Sequence, residues 1–352
     1  MRRTVKLAAV VLSGSLGIAS LAACGAKSNS TSSSTSGSGL KVGMAYDVGG
    51  RGDQGFNDSA AAGLDKAKTD FGIVPNEAEA KTGESDADKQ QRLENLVAGG
   101  FNPIIAVGFV YQTAVDNVAK EHPNVKFAII DSDDPSQPSN VTSLEFTEQQ
   151  SSYLAGIAAA LKTKTKQVGF IGGVQSELIK KFEAGYRAGV ESVDKSIKVD
   201  VTYLTTPPDF SGFNDPAKGK SAAQGQLDKG DDVIYAAAGA SGTGAIQAVA
   251  AKPGAWAIGV DTDQAKQPAL QTYSKSILTS ALKNVNTAVY SYIQSVKNGS
   301  PETGIQRFDL KSGGVGLATT GGNIDDIKAK LDDATQKITS GATQVPTAPP
   351  AG

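Results

Sequence analysis

The stretches Pro103-Ile-Ile-Ala-Val-Gly-Phe109 and Lys126-Phe-Ala-Ile-Ile-Asp131 decide the fold. Both are short, nearly unbroken apolar runs, and the second stops at an acid. A strand covered on both faces loses the in–out alternation of a half-solvated sheet, so runs of this kind predict parallel strands held between helices. Helical periodicity fills the intervals around them. Leu64, Ala67 and Phe71 share one face of a helix over residues 57–71, and Leu93, Leu96 and Val97 line another that starts at Ser85 and Asp88. Residues 41–45 supply a first strand. After Phe146 the cycle repeats, with helices over 148–162, 177–193, 216–228 and 243–251 alternating with strands over 167–171, 198–204, 232–237 and 255–260.

Two successive β-α series predict an α/β protein with two doubly wound parallel-sheet lobes. A strand over 276–281 and a helix over 285–297 are expected to return to the first sheet. A strand-like stretch over 307–317 and an amphipathic helix over 324–338 are expected to close the second. The lobes then comprise 40–147 plus 265–300, and 148–264 plus 301–341, with 342–352 as a proline-bearing disordered tail. Such a path implies a multi-strand hinge and a cleft between lobes. In open α/β sheets ligands bind beyond the carboxyl ends of strands, so functional residues belong just after strands.

The N-terminus points outside the cytoplasm. Arg2, Arg3 and Lys6 precede a short apolar stretch and then Leu21-Ala22-Ala23-Cys24. This is a secretory pattern too short to remain as a spanning helix, and its end resembles the bacterial lipobox, in which the cysteine is acylated. Residues 1–23 therefore read as a lipoprotein signal peptide and Cys24, the only cysteine, as a lipid anchor. Residues 25–39 are almost entirely small and polar, giving a flexible tether with a reach of roughly 20 Å. The first 23 residues hold three of the 34 basic residues and no acid, so the remainder carries 31 against 36, a net charge of −5. That balance disfavours nucleic-acid binding. The single cysteine excludes a disulfide within the chain, and its expected acylation leaves no thiol for a nucleophile. The single histidine, His122, sits in a helix-to-strand turn with neither a serine elbow nor a metal-ligand motif beside it.

Distinctive residues stand at the strand ends. Asp47 and the Gly-rich loop to Phe56 and Asn57 follow the first strand, Gly108 and Phe109 the third, and Asp131 the fourth. In the second lobe Gly239 opens a Gly-Ala-Ser-Gly-Thr-Gly turn, Asp261 ends a strand, and Lys283 follows the strand over 276–281. Each has a plainer use. Asp47 and Asp131 suit helix caps, and Phe56 suits a core anchor. The Gly239 turn lacks the spacing and the Gly-Lys-Ser/Thr of a phosphate cradle, Asp261 with Asp263 lacks the rest of an EF-hand, and Arg51-Gly-Asp53 is too short to carry specificity.

Taken in order, Asp47-Val-Gly-Gly, Gly55-Phe-Asn-Asp-Ser, Phe127-Ala-Ile-Ile-Asp131, Tyr153-Leu-Ala-Gly156, Gly169-Phe-Ile-Gly-Gly173, Phe182-Glu-Ala-Gly-Tyr-Arg-Ala-Gly189 and Ile258-Gly-Val-Asp-Thr-Asp-Gln264 resemble the basic membrane protein (BMP) family of bacterial lipoproteins. These are substrate-binding components of nucleoside ABC transporters, of the purine nucleoside receptor A type. The resemblance covers about residues 40–340. It implies a periplasmic-binding-protein type I fold, a nucleoside ligand, ABC permease partners, a monomer, and neither enzymatic activity nor a cofactor or metal. It implies that Asp47 and Asn57 bond the base edge, that Phe56 stacks on the base, that Asp131, Asp261 and Lys283 address the ribose, and that Gly239 allows close backbone approach. The Gly239 segment lacks an aromatic, so Phe109 or Phe182 is expected to cover the other base face, or stacking is one-sided. A receptor for a free pentose, a nucleoside hydrolase and a surface adhesin or signalling lipoprotein are the alternatives to a nucleoside receptor.

Overall fold

The computed structural model describes residues 39–350. The signal segment, Cys24 and the tether up to residue 38 lie outside the described residues. In the first lobe β1 (Lys41–Ala45), α1 (Phe56–Phe71), β2 (Val74–Ala78), α2 (Asp86–Ala98), β3 (Ile104–Ala106), α3 (Gln112–Glu121), β4 (Phe127–Ile130) and β5 (Val141–Phe146) alternate. The chain then crosses into the second lobe. There α4 (Glu148–Lys162), β6 (Gln167–Val174), α5 (Glu177–Val193), β7 (Lys198–Thr205), α6 (Pro216–Lys229), β8 (Val233–Ala237), α7 (Ser241–Ala250), β9 (Trp256–Asp261) and β10 (Ile277–Lys283) follow. It crosses back through α8 (Val285–Lys297) and β11 (Gly304–Phe308), and ends in β12 (Val315–Leu317) and α9 (Lys328–Thr339).

Two six-stranded sheets result, ordered β11-β5-β4-β3-β1-β2 and β12-β10-β9-β8-β6-β7. Every pairing is parallel except β10 with β12. Strand β4, a continuous apolar run, is buried along its whole length between helix layers, and so is β5, although half of its residues are polar.

Three expectations need correction. The strand over 276–281 does not join the first sheet. It becomes β10 and pairs with β9, Ala281 opposite Val260, covering an edge that would otherwise leave Ile258 and Val260 open. Its helix does go back: Val285, Ala288, Val289 and Tyr292 of α8 bury against Ala60, Ala61 and Leu64 of α1. The stretch over 307–317 splits, with β11 on the first sheet beside β5 and β12 on the second. Finally, the tail is anchored at its start, because Thr343 donates its N–H to the Lys337 carbonyl and Val345 packs on the second-lobe core.

The glycine-rich phrases of the second lobe are packing devices. A Cβ on Gly156 would lie 2.1 Å from the Tyr186 carbonyl oxygen, one on Gly185 2.1 Å from that of Gln149, and one on Gly189 2.0 Å from that of Tyr153. Helices α4 and α5 therefore touch backbone to backbone, which fixes the side of α5 that carries Phe182. We predict that Gly189→Ala destabilises the protein by roughly 1–3 kcal/mol, because the helices must part. Gly225→Ala, on α6 with nothing within 4 Å of the new methyl, should instead be neutral or stabilising by up to about 1 kcal/mol. Urea unfolding of the two variants checks the contrast.

Candidate ligand-binding site

The loop from β1 to α1 is built around Asp53. Its carboxylate accepts the backbone N–H groups of Gly55 (2.9 Å), Asn57 (2.8 Å) and Asp58 (3.1 Å), capping α1. It also accepts Asn57 Nδ2 at 3.1 Å, while Asn57 Oδ1 takes the N–H of Asp47 at 3.0 Å. The amide of Asn57 is thus locked in one orientation, and half-buried Phe56 is presented at the first turn of the helix. Asp47 accepts the Val48 N–H at 2.6 Å through Oδ1. Its other oxygen lies against Gly108, where a Cβ would come within 2.6 Å and where φ is +103°. Gly108 is therefore required twice over, by backbone conformation and by space.

Asp131 and Asp261 occupy equivalent places in the two lobes, at the ends of β4 and β9. Both have left-handed backbones, with φ of +67° and +64°. Non-glycine residues rarely adopt that region, and such positions cluster at functional sites. Lys283 ends β10, where the chain crosses back to the first lobe, and is 2% exposed. Its Nζ lies 2.6 Å from Asp131 Oδ1 and 3.0 Å from Oε1 of Glu148, a fully buried residue that opens α4. The same ammonium stands 5.1, 5.3 and 5.7 Å from the ring centres of Phe56, Phe146 and Phe182.

The structure brings Asp47, Phe56, Asn57, Gly108, Phe109, Asp131, Gly239, Asp261 and Lys283 around one cavity between the lobes, with about 540 Å³ of empty space including its mouth. The other walls come from Asp53 and, in the second lobe, from Leu178, Ile179, Phe182 and Phe213. Phe213 is an aromatic that the sequence reading missed. It follows β7 in a Pro-rich loop, and the rule that sites follow strands would have drawn attention to it. Gly173 clears space for its ring, since a Cβ there would be 2.5 Å from it. Phe109 and Phe210 of the second lobe meet edge to face, with ring centres 6.0 Å apart. Across the lobes, Thr262 Oγ1 and Gln264 Nε2 both donate to the Gln54 carbonyl, at 3.0 and 3.1 Å.

Lys283 makes its close ion pairs with Asp131 and Glu148, and Asp261 stands outside them. Asp261 is pushed up to about 7, chiefly by burial, against the pull of Lys283. Asp47 is likewise pushed up to about 7 by burial, with the Val48 amide and Lys89 acting the other way. Burial also raises Asp131 and Glu148. For Lys283 burial works downward, yet the nearby carboxylates hold it above the ordinary ammonium range. Among the described residues, the cluster with metal-ligand spacing is Glu94, Glu121 and His122, and none of the three lines the cavity. His122 is bonded to Glu94 at 2.9 Å.

Two doubly wound lobes, three crossings and a cavity at the strand ends define a periplasmic-binding-protein type I fold. Comparison with known proteins agrees. Residues 40–348 match the Bmp family, described as ABC transporter substrate-binding protein, PnrA-like, and the chain belongs to that family. It is 35% identical to the ABC transporter nucleoside-binding protein BmpA of Lactococcus lactis subsp. cremoris, over 96% of this chain and 98% of that one. Basic membrane protein A1 of Borrelia garinii subsp. bavariensis is 33% identical, over 84% of this chain and 85% of its own length. Among solved structures, an ABC transporter solute-binding protein of Aeropyrum pernix K1 superposes with a TM-score of 0.75 at 29% identity, covering 87% of this chain and 94% of the other. The family is one of extracytoplasmic substrate-binding proteins rather than enzymes. No helix among the described residues is long and apolar enough to cross a membrane.

The raised aspartates carry a stability cost with a defined sign. A carboxyl whose folded pKa lies above its unfolded value holds its proton more tightly when folded, so stability falls as pH rises from about 4 to 7. Asp261→Asn removes the ionisation. At pH 8 the variant should be more stable than the parent by up to about 4 kcal/mol, and the gap should close toward pH 4. Denaturant titrations at the two pH values measure it; a variant no more stable than the parent at pH 8 would refute the account.

Proposed function

We propose that the protein is a lipid-anchored receptor on the extracytoplasmic face of the membrane that captures a nucleoside, a purine nucleoside in particular, between its lobes and passes it to ABC permease subunits. The observation that carries this reading is the pairing, in one cavity, of aromatic rings from both lobes with buried acids and one buried lysine. Phe56 from the first lobe and Phe213 or Phe182 from the second offer faces to a flat base. Base–aromatic stacking is worth about 1–3 kcal/mol per base. Asp131 and Asp261 offer carboxylates to a vicinal diol, each able to accept two charge-assisted hydrogen bonds. Lys283 donates to ligand oxygen while holding Asp131 in place. Asp47 and Asn57 face the base edge, Gly108 and Phe109 shape that end, and Gly239 admits the ligand close to the backbone. The printed name of the Lactococcus relative supports the same ligand class.

Capture follows from the two-lobed geometry. In an open state the acids are hydrated. Closure strips that water and leaves each acid dependent on ligand hydroxyls, so ligands lacking them are rejected. Residues from both lobes then contact one molecule, and the ligand stabilises the closed form by its differential affinity for it.

Calorimetric titration with guanosine, inosine, adenosine and ribose, followed in parallel by Trp256 fluorescence, should give saturable binding of nucleosides and weak or no binding of ribose. Saturation by ribose alone would favour a pentose receptor. Phe56→Ala should weaken nucleoside binding by roughly 10- to 100-fold. For the anchor, Cys24→Ser expressed in a bacterial host should move the protein from the membrane fraction to the soluble extracytoplasmic fraction. Failure of the parent protein, rather than of the Cys24→Ser variant alone, to take up a labelled fatty acid would rule out acylation at Cys24.

A further inference from the structure

A second chamber adjoins the ligand cavity, with about 600 Å³ of empty space including its mouth. The two share Asp47 and Val48 as walls. The chamber is lined from the first lobe by Lys81 to Glu84, by Lys89 of α2 and by Val110, and from the second by Pro208 to Ser211. Phe109 belongs to the cavity and Phe210 to the chamber, and their edge-to-face contact joins the lobes at the boundary. The partition is thus a carboxylate and two rings.

Lys89 is the unusual element. Its side chain is 8% exposed, and its ammonium lies 2.9 Å from Asp86, whose own side chain is 65% exposed. A lysine so deeply buried, against a partner that water largely screens, is costly unless its charge has a use. It is also the strongest charge acting on Asp47, whose Oδ1 is engaged by Val48 N–H while Oδ2 lies against Gly108. At the Asp47 end of the cavity an acceptor therefore comes first, and a donor stands behind it in the chamber.

We propose that Asp47 and Lys89 together select bases presenting a ring N–H beside an exocyclic carbonyl, the 6-oxopurine pattern, with Lys89 reaching the carbonyl through water held in the chamber. The inference rests on the nucleoside reading above and refines it. A base whose edge faces Asp47 offers its ring nitrogen to the carboxylate and projects its exocyclic group farther, toward the chamber. In a 6-oxopurine these are a donor and an acceptor, matching carboxylate and ammonium. In a 6-aminopurine they are an acceptor and a donor, so a lone pair meets the carboxylate and an amino group meets the ammonium. A site built to hydrogen-bond one pattern rejects the reverse strongly, because its own polar groups are left unpaired. A bridging water transmits such a contact with little loss.

The test is calorimetric titration of the purified protein and of its Lys89→Met variant with guanosine, inosine and adenosine at pH 8. The parent should favour guanosine and inosine over adenosine by about tenfold or more. Lys89→Met should lose about tenfold for the two oxopurines while holding adenosine within about twofold, and unchanged adenosine binding doubles as the control for folding. Lys89→Arg, which keeps the charge, should retain the preference, and Lys89→Gln serves if the Met variant does not fold. Equal weakening for all three ligands, an unchanged ratio, or a parent that binds adenosine as tightly as guanosine overturns this inference alone. Absence of any nucleoside binding overturns the nucleoside reading together with it.

Discussion

One buried ammonium holds the molecule's parts in relation. Lys283 closes β10 at the point where the chain leaves the second lobe, Asp131 ends β4 in the first, and Glu148 opens α4 directly after the first crossing. Their contacts at 2.6 and 3.0 Å tie two crossings and one strand end to a single charge. Removing ions from water costs several kcal/mol each, and the pairing offsets this only while the geometry is kept. Loss of one partner would leave buried charge uncompensated. The arrangement therefore defines where the lobes meet as much as how strongly. It also aims the lysine at the rings of Phe56, Phe146 and Phe182, which screen it from water and face it with the negative side of their quadrupoles.

Around that centre the backbone has little freedom. The α4–α5 contact is set by three glycines at carbonyl distance, and α5 carries Phe182 into the cavity. Asp53 uses its carboxylate on the first turn of α1, so Phe56 and Asn57 arrive in fixed orientation. Asp131 and Asp261 turn away from their strands through left-handed backbones that few residues accept. A ligand meeting these groups would find them already placed, which lowers the ordering cost of binding. The adjustable part is the relation between lobes. Across the cleft it rests on a few polar contacts, such as those to the Gln54 carbonyl and the Lys181–Glu145 pair at 3.2 Å.

How much of this was legible in the sequence follows from the same physics. Unbroken apolar runs such as 127–130 announce buried parallel strands because a strand covered on both faces needs apolar side chains on each, and the strand-end rule then locates nine residues that share one cavity. Edge elements were harder. β2 reads Val-Pro-Asn-Glu-Ala and buries none of its side chains fully, so it carries no hydrophobic signal; it is an edge strand that can hold Pro75. The lobe assignment of β10 was misread because chain order says nothing about which sheet has an uncovered edge. Glu148 was legible as a helix start but not as a partner of Lys283, since that contact spans more than 130 residues and depends on where the crossings fall. Phe213 carries no signal in the sequence that ties it to Gly239, because it comes from another loop, although its backbone carbonyl lies 2.9 Å from where a Gly239 Cβ would stand.

The charge count in the cavity bears on how a receptor of the proposed function would release its ligand. Asp47, Asp131, Glu148 and Asp261 are all buried with Lys283, and the lysine's close contacts go to only two of them. Burial raises every one of these carboxyls above its ordinary range, so the closed form without a hydrogen-bonding ligand stores unfavourable electrostatic energy. Opening returns water to the acids and discharges it. A ligand that supplies donors to those carboxylates replaces the water and holds the lobes together, while anything that separates the lobes restores hydration and weakens its grip. Tight capture and ready delivery then need no separate devices. Under the proposed function the same acids would bind when dehydrated and let go when wet, and a partner that pulls the lobes apart would have solvation on its side.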